Sequence, residues 1–462
     1  MKETEGFNMS TILNSRNSRH VQLVRDDIII IIKLVRKGFR ARKRSTRKVM
    51  SKKGGGFQLE RTREDVPPEV DENIYPEGGL KAWLVVFGAL CGGCTGFGLM
   101  NSSGPLQAHL ETNQLKSYSP SDIGWIFSTG YFLCFFSGLQ IGPVFDRYGP
   151  RYLIATGSVL LTLCVFLAAE SSKYWQFMMT LGVLFGLGSG LLFTPSIGAI
   201  GHFFLRRRGL ATGIGCIGGA IGGIVYPSIL SKTLQSLGWA WSLRIIGFVM
   251  LIFIILCNLL VRSRLPPLPG KSAAITVTAF KDIRFTLCTA AIFLSEFALF
   301  IPLTYLSSYA IHNGMSANLA FNLQTIINVG SIFGRFLGGY SADRLGRFNS
   351  LVVLSLFTAI STFAFWYPAG SSVAFAVIFA ICFGFGSGSF ISLTPVAVGQ
   401  ICRTEEYGRF YGTAYTVVSF GTLTGVPIAG QIIALWHGRF DGVIIFAGVI
   451  HLAQPLSSLQ RD

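Results

Sequence analysis

Three charged side chains stand inside otherwise apolar runs: Arg244, Glu296 and Arg335. A charge at the centre of a membrane helix costs about 2.5–3.5 kcal/mol, so each of these needs a reason to be there. Arg335 offers a planar guanidinium, which can clamp a carboxylate at two points. The same group can instead serve structure, bonded to a backbone carbonyl or to Asp343 two turns further on. Glu296 is a candidate proton carrier, because a carboxyl can take up and release a proton at a cavity wall. Its alternative is a hydrogen bond that packs helices. Arg244 falls near the end of its run and reads as a snorkelling or loop-bonded side chain. A second set of charges lies between runs. Asp146, Arg147 and Arg151 occur in G-P-V-F-D-R-Y-G-P-R at 142–151, and Asp343, Arg344 and Arg347 in G-G-Y-S-A-D-R-L-G-R at 338–347. A carboxylate at a helix end can pair with arginine in its own loop or face a helix N-terminus. Such a contact can exist in one arrangement of the helices and break in another, which makes it a gate latch rather than a mere solvated charge.

Other chemistries fit poorly. Cys91-x-x-Cys94 has a redox or metal spacing but lies inside an apolar run with no second pair nearby. Eight of the nine cysteines occupy apolar stretches, and Cys402 lies at the edge of one, so they read as small packing residues. Gly213-x-Gly215-x-x-Gly218 matches a dinucleotide fingerprint without the surrounding strand–helix–strand unit. The six histidines are scattered without metal spacing. No catalytic residue, metal or cofactor is expected, and a membrane-embedded enzyme is disfavoured.

The elements that must position these groups are membrane helices. Of 462 residues, 50% are hydrophobic and 13% charged, against about 25% charged in soluble domains. The mean hydropathy of +0.52 agrees. Apolar runs of membrane-spanning length fall near 82–104, 121–143, 152–170, 174–200, 209–231 and 239–261, then near 284–309, 318–341, 349–368, 371–397, 408–431 and 440–456. The last is short and contains His451, Gln454 and Pro455. The predicted fold is all-α, with twelve transmembrane helices in two six-helix bundles. Its divisions are a basic tail (1–77) without a targeting signal, a first bundle (78–261), a linker (262–283) containing P-P-L-P-G, and a second bundle (284–462).

The tail carries 17 Lys/Arg and 11 Asp/Glu, and Lys33 to Lys53 holds 11 basic residues without an acid. It reads as a solvated cytosolic segment, or as a polybasic stretch held near anionic lipid. Lipid phosphate, not nucleic acid, is the expected counter-charge for the net +17. With the tail cytosolic, cytosolic loops carry fourteen basic residues against four on the opposite side, so both termini are predicted cytosolic. The halves repeat. Asp-Arg-x-Gly recurs after 197 positions, F-G-L-G-S-G at 185–190 returns as F-G-F-G-S-G 198 positions later, and Thr194-Pro195 returns after 200. Constant offsets in one order point to a duplicated six-helix unit. Glycines at 215, 219 and 223, and at 186 and 190, give helix faces that can touch and slide.

On these residues the chain, over about 78–456, resembles the major facilitator superfamily, and within it the fungal branch of the monocarboxylate transporter family. P-E-G-G-L-K-A-W at 76–83 is similar to that family's entry to helix 1, and F-F-L-R-R-R-G-L-A-T-G at 203–213 to its basic loop before helix 5. The resemblance implies secondary transport by alternating access, with small organic acids as solutes and protons as a coupling ion. It makes Arg335 the arginine that holds an anionic solute. Two positions depart from well-known animal members: Asn101 stands where they carry lysine, and Ser331 where they carry an acid. Asn101, Ser102 and Ser103 suit a larger, less charged solute, with Phe97, Phe300 and Tyr305 as candidate cavity walls. The alternatives are transport of a larger organic such as riboflavin, and a transporter-like sensor with the tail as its signalling arm. The plasma membrane is the expected location, with the vacuolar membrane as alternative. The oligomeric state stays open.

Overall fold

The computed structural model describes residues 75–118, 120–264 and 277–458. Nearly all of the predicted tail and residues 265–276 of the predicted linker lie outside the described residues.

Twelve helical spans follow one another among the described residues. α1 is Leu80–Met100, continued after a break by Ser103–Thr112. α2 joins Pro120–Phe136 to Gly138–Tyr148, α3 is Arg151–Glu170, and α4 runs from Tyr174–Phe177 through π-helical Met178–Leu184 into Phe185–Ile200. The continuous stretch Arg208–Leu260 is two helices, α5 and α6, joined at Gly238, whose φ of 75 a larger residue would resist. The second half comprises α7 (Ile283–His312), α8 (Ala317–Leu345), α9 (Arg347–Ser361, continued by Thr362–Trp366), α10 (Val373–Ile401), α11 (Tyr407–Leu435) and α12 (Asp441–Ser458).

On length and composition, 8 helices could cross a membrane, Arg208–Leu260 among them as one. The rest fall short for local reasons. α2 is interrupted at Ser137. α8 carries Asn328, Ser331 and Arg335 on its buried face, while Phe333, Phe336, Leu337 and Tyr340 face outward. The Phe248, Ile252, Ile255 and Leu259 stripe of α6 is exposed in the same way. Polar groups inside and aromatic or aliphatic groups outside invert the water-soluble pattern and suit a hydrocarbon surround.

The repeat read from sequence is repeated in packing. Gly186 of α4 abuts the carbonyl of Gly130, and its counterpart Gly384 of α10 abuts the carbonyl of Ile327. Gly188 packs on Leu161 and Gly386 on Thr358; Gly190 meets Cys134 and Gly388 meets Ser331. In every case the partners, like the glycines, lie 197 or 198 positions apart. α1 likewise lies against α5 through Gly98 and Gly222, as α7 lies against α11 through Phe297 and Gly425. Hydroxyls that would otherwise be stranded in apolar surroundings bond back to carbonyls one turn earlier, as Ser158 does to Ile154 (2.6 Å) and Thr358 to Leu354 (2.9 Å).

Candidate functional site

A small cavity lies where α1, α2, α4, α7, α10 and α11 converge. Its apolar walls combine the aromatic Phe97, Phe135, Phe193, Phe300 and Tyr415 with Met100, Leu299, Leu303 and Ile391. Phe97 sits 4.2 Å from Phe193, centroid to centroid, and Phe300 stacks on Tyr131 at 5.2 Å. Two polar side chains enter, Asn101 and Glu296. Asn101 Nδ2 donates to the Gly219 carbonyl at 3.0 Å. Glu296 is 3% exposed, and its Oε2 has no hydrogen-bond partner. Among the described residues no arginine or lysine lines the cavity.

Arg335 and Ser331 are placed differently. Arg335 is buried beside the cavity, with Nη1 donating to the Cys216 carbonyl of α5. Its Nε finds no partner. Together with Asn101 on Gly219 and Asn328 on Gly223 (3.3 Å), it satisfies three carbonyls along the glycine face of α5. In this conformation Arg335 is therefore a clasp between α8 and α5. Ser331 packs against Gly388 of α10 and does not reach the cavity. Of the three aromatic candidates, Phe97 and Phe300 line it, whereas Tyr305 turns its hydroxyl to the Val426 carbonyl (3.2 Å). Arg244 forms an ion pair with Glu170 and lies 4.9 Å over Trp241.

Below the cavity the helices of the two halves touch. Asp146, at the end of α2, accepts from the backbone N–H of Gly408 (3.0 Å) and Arg409 (2.8 Å), the first turn of α11. Asp343, at the end of α8, accepts from Gly209 (2.9 Å) and Leu210 (2.8 Å), the first turn of α5. Each carboxylate thus meets the unpaired N–H groups and positive end of a helix from the other half. The approach requires glycine. A Cβ on Gly142 would strike the Gly408 carbonyl, and one on Gly339 would strike that of Gly209. Arg347 joins this layer, donating to the Leu205 carbonyl at 2.7 Å. Arg147, Arg151 and Arg344 do not: all three are exposed, Arg147 lying over Tyr148 and Arg344 over Tyr340.

Residues not singled out by sequence complete the latch end. Glu77, just before α1, accepts from the N–H groups of Leu205 (2.7 Å), Arg206 (2.6 Å) and Arg207 (3.1 Å). Tyr75 donates to Thr404 at 2.9 Å. Glu77 was visible only as part of P-E-G-G-L-K-A-W; nothing in its spacing reveals that it caps a loop 128 positions away. His202 pairs its Nδ1 with Ser263 at 2.9 Å. Burial and the nearby Arg208 charge push its pKa down to about 4.

Known proteins agree with this architecture. The profile described as Major Facilitator Superfamily matches residues 84–425 and 325–454. A riboflavin transporter of Saccharomyces cerevisiae is 38% identical over 410 residues, covering 84% of this chain and 78% of its own. An aspyridones efflux protein of Emericella nidulans is 36% identical over 408 residues, covering 86% and 82%. Among solved structures, the Escherichia coli fucose:proton symporter superposes with a TM-score of 0.63 at 18% identity, covering 82% of this chain and 98% of that one. The human organic anion transporter MFSD10 superposes at 0.67 and 14%, covering 82% and 99%. A profile match over most of the chain, relatives above 30% identity and a duplicated helical fold lead to one statement: this chain belongs to the major facilitator superfamily and is a multi-pass membrane transporter of a small solute.

Proposed function

We propose that the solute is a bulky organic metabolite with planar aromatic character, moved by alternating access. The observation that carries this reading is the cavity wall: among the described residues, five aromatic rings and four aliphatic side chains with one amide, one carboxyl and no cation. Rings of this kind bind flat apolar surfaces, and a small carboxylate would find no counter-charge among them. The riboflavin transporter and the efflux proteins among the relatives support a large organic solute. Two halves, 78–261 and 284–462, joined by 262–283, rock about the cavity, and Asp146 and Asp343 open and close its latch end, with Arg347 assisting. Asn101 orients the solute, and Glu296 carries the coupling proton. The fourteen-to-four bias of basic residues supports a cytosolic latch end and cytosolic termini, in the plasma membrane.

The second reading is the small organic acid. It is favoured by Arg335, whose unpaired Nε lies behind Asn101 at the same glycine face of α5. If the Cys216 bond breaks as the halves rock, its guanidinium turns inward as a carboxylate clamp, with Ser331 on the same helix face.

Counterflow of radiolabelled riboflavin and lactate into proteoliposomes, with and without a pH gradient, separates the readings. We expect riboflavin or a comparable fused-ring solute to exchange, lactate to be ignored, and Glu296→Gln to abolish stimulation by the gradient. Lactate exchange that Arg335→Ala eliminates, with no flavin exchange, overturns the first reading in favour of the second.

A further inference from the structure

Arg208, the first residue of α5, is 2% exposed. Among the described residues no carboxylate lies within ion-pair distance of it, and its Nη1 has no hydrogen-bond partner. Its guanidinium lies 4.7 Å over the ring of Tyr407 on α11. Tyr407 is the foot of a ladder. Its ring stacks on Tyr411 at 5.4 Å, and Tyr411 meets Tyr415 at 4.3 Å. Tyr415 lines the cavity together with Glu296. The spacing of four residues keeps all three phenols on one face of α11, and all three are buried. The Tyr411 side chain hydrogen-bonds that of Tyr415, and Tyr407 that of Arg208, while Glu296 Oε2 has no partner among the described residues. Exchangeable hydroxyls in a row from the cavity to this end offer a path along which a proton can be handed on.

Such a file is a hazard to a carrier that lives on ion gradients. A proton passes along water and hydroxyls by exchange, each O–H bond broken at one oxygen matched by one formed at the next. No solute needs to move. With the helices latched, the glycine contacts exclude a solute but not a proton. We propose that Arg208 is an electrostatic plug, whose uncompensated charge at the foot of the tyrosine ladder keeps protons from leaking between the cavity and the shut latch end. A fixed guanidinium at a constriction excludes protons in this way because an arriving hydronium ion meets a like charge in a poorly screened site.

The surroundings leave the charge standing. His202 from the loop, Arg347 from α9, Cys402 from α10 and Tyr407 from α11 are the titratable or charged groups that feel it. Asp146 and Glu406, in the same corner near Cys402, are engaged elsewhere: Asp146 by the first turn of α11 and Glu406 by Arg409 (2.9 Å). Along the ladder stand Cys216 of α5, whose carbonyl holds Arg335, and Glu296 of α7, which also faces Cys134 of α2.

The inference rests on the alternating-access reading, with this end shut in the present conformation. The test is proton leak into proteoliposomes holding a trapped pH dye, with potassium and valinomycin clamping the potential and no solute present. Wild type and R208K stay tight. R208Q leaks about tenfold faster, the size expected when one like charge is removed from a poorly screened path. Adding Y407F and Y411F to R208Q restores tightness by removing the ladder's hydroxyls. Retention of a trapped fluorescent anion excludes general damage, and R208M is read in the same way should R208Q not reconstitute. An R208Q protein as tight as wild type, or a leak that the two phenylalanines leave unchanged, overturns the proposal. Solute counterflow on the same vesicles tests the transport reading separately, so a tight R208Q that still exchanges solute sinks the plug alone.

Discussion

The two latches have the same chemistry and different support. Asp146 on α11 and Asp343 on α5 each accept two backbone N–H bonds of nearly equal length from the first turn of a helix in the other half. Around Asp343 further bonds gather. Arg347 crosses from α9 to the Leu205 carbonyl, and Glu77 holds three N–H groups of the same loop. Around Asp146 the neighbouring Arg147 points outward, and Arg409 spends itself on Glu406 beside it. Duplication therefore supplied the carboxylate and the glycine approach twice, while later divergence reinforced one side. A twofold motif need not mean a twofold division of labour.

The comparison can be broken hardest at the glycines. Gly408→Val drives side-chain atoms into the Gly142 carbonyl and denies α2 its seat on α11. Overpacking of this kind costs about 1–3 kcal/mol, so transport should fall by about 10- to 100-fold while the protein still reaches the membrane. Wild-type uptake by this variant would mean that the α2–α11 contact is not part of the cycle. A smaller effect tests the asymmetry itself. Asp146→Asn removes the one side chain that, among the described residues, ties α2 to the first turn of α11, at a cost of about 1–2 kcal/mol for a partly buried charge at a helix end. Asp343→Asn should cost less, because Arg347 still reaches Leu205. Labelling of Cys402 by a membrane-impermeant maleimide, in a protein otherwise free of cysteine, reports the opening of this end. Faster labelling in Asp146→Asn than in Asp343→Asn is expected, and adding Arg347→Met to the latter should close the gap.

The smallest effect concerns His202 in the reinforced side. With its pKa pushed down to about 4 from an ordinary 6.5, the neutral ring is the form that fits. The stability it contributes is complete above pH 6.5 and is lost as pH falls toward 4. Thermal unfolding in detergent should therefore show a lower midpoint at pH 5 than at pH 7.5, and His202→Gln should shrink that difference. An unchanged difference would assign the acid sensitivity to other groups.

Most of the helices were legible because a hydrocarbon core demands long apolar runs, and twelve such runs can be counted. The junction between α5 and α6 was less so: the sequence suggests a polar break at 232–238, whereas helical geometry continues to Gly238 alone. The pairing of Asp146 and Asp343 with helix ends was foreshadowed by their recurrence, whereas the exposure of Arg147, Arg151 and Arg344 beside them was not. At the site, Glu296 and Asn101 were found from charge and polarity in apolar surroundings. Tyr415, Phe135 and Phe193 were not, because aromatic residues abound in every span and only convergence selects a few of them.

What the sequence by itself determined is therefore what each segment prefers: which stretches enter lipid, where they break, and that the chain repeats itself. Hydropathy and spacing are local properties and survive without knowledge of neighbours. Only the tertiary structure decided that Arg335 holds a carbonyl of α5, that Glu77 caps a distant loop, and that three tyrosines line up between a buried carboxyl and a buried guanidinium. Those outcomes depend on which faces meet across a helix interface, and a glycine's worth of backbone approach is enough to change them.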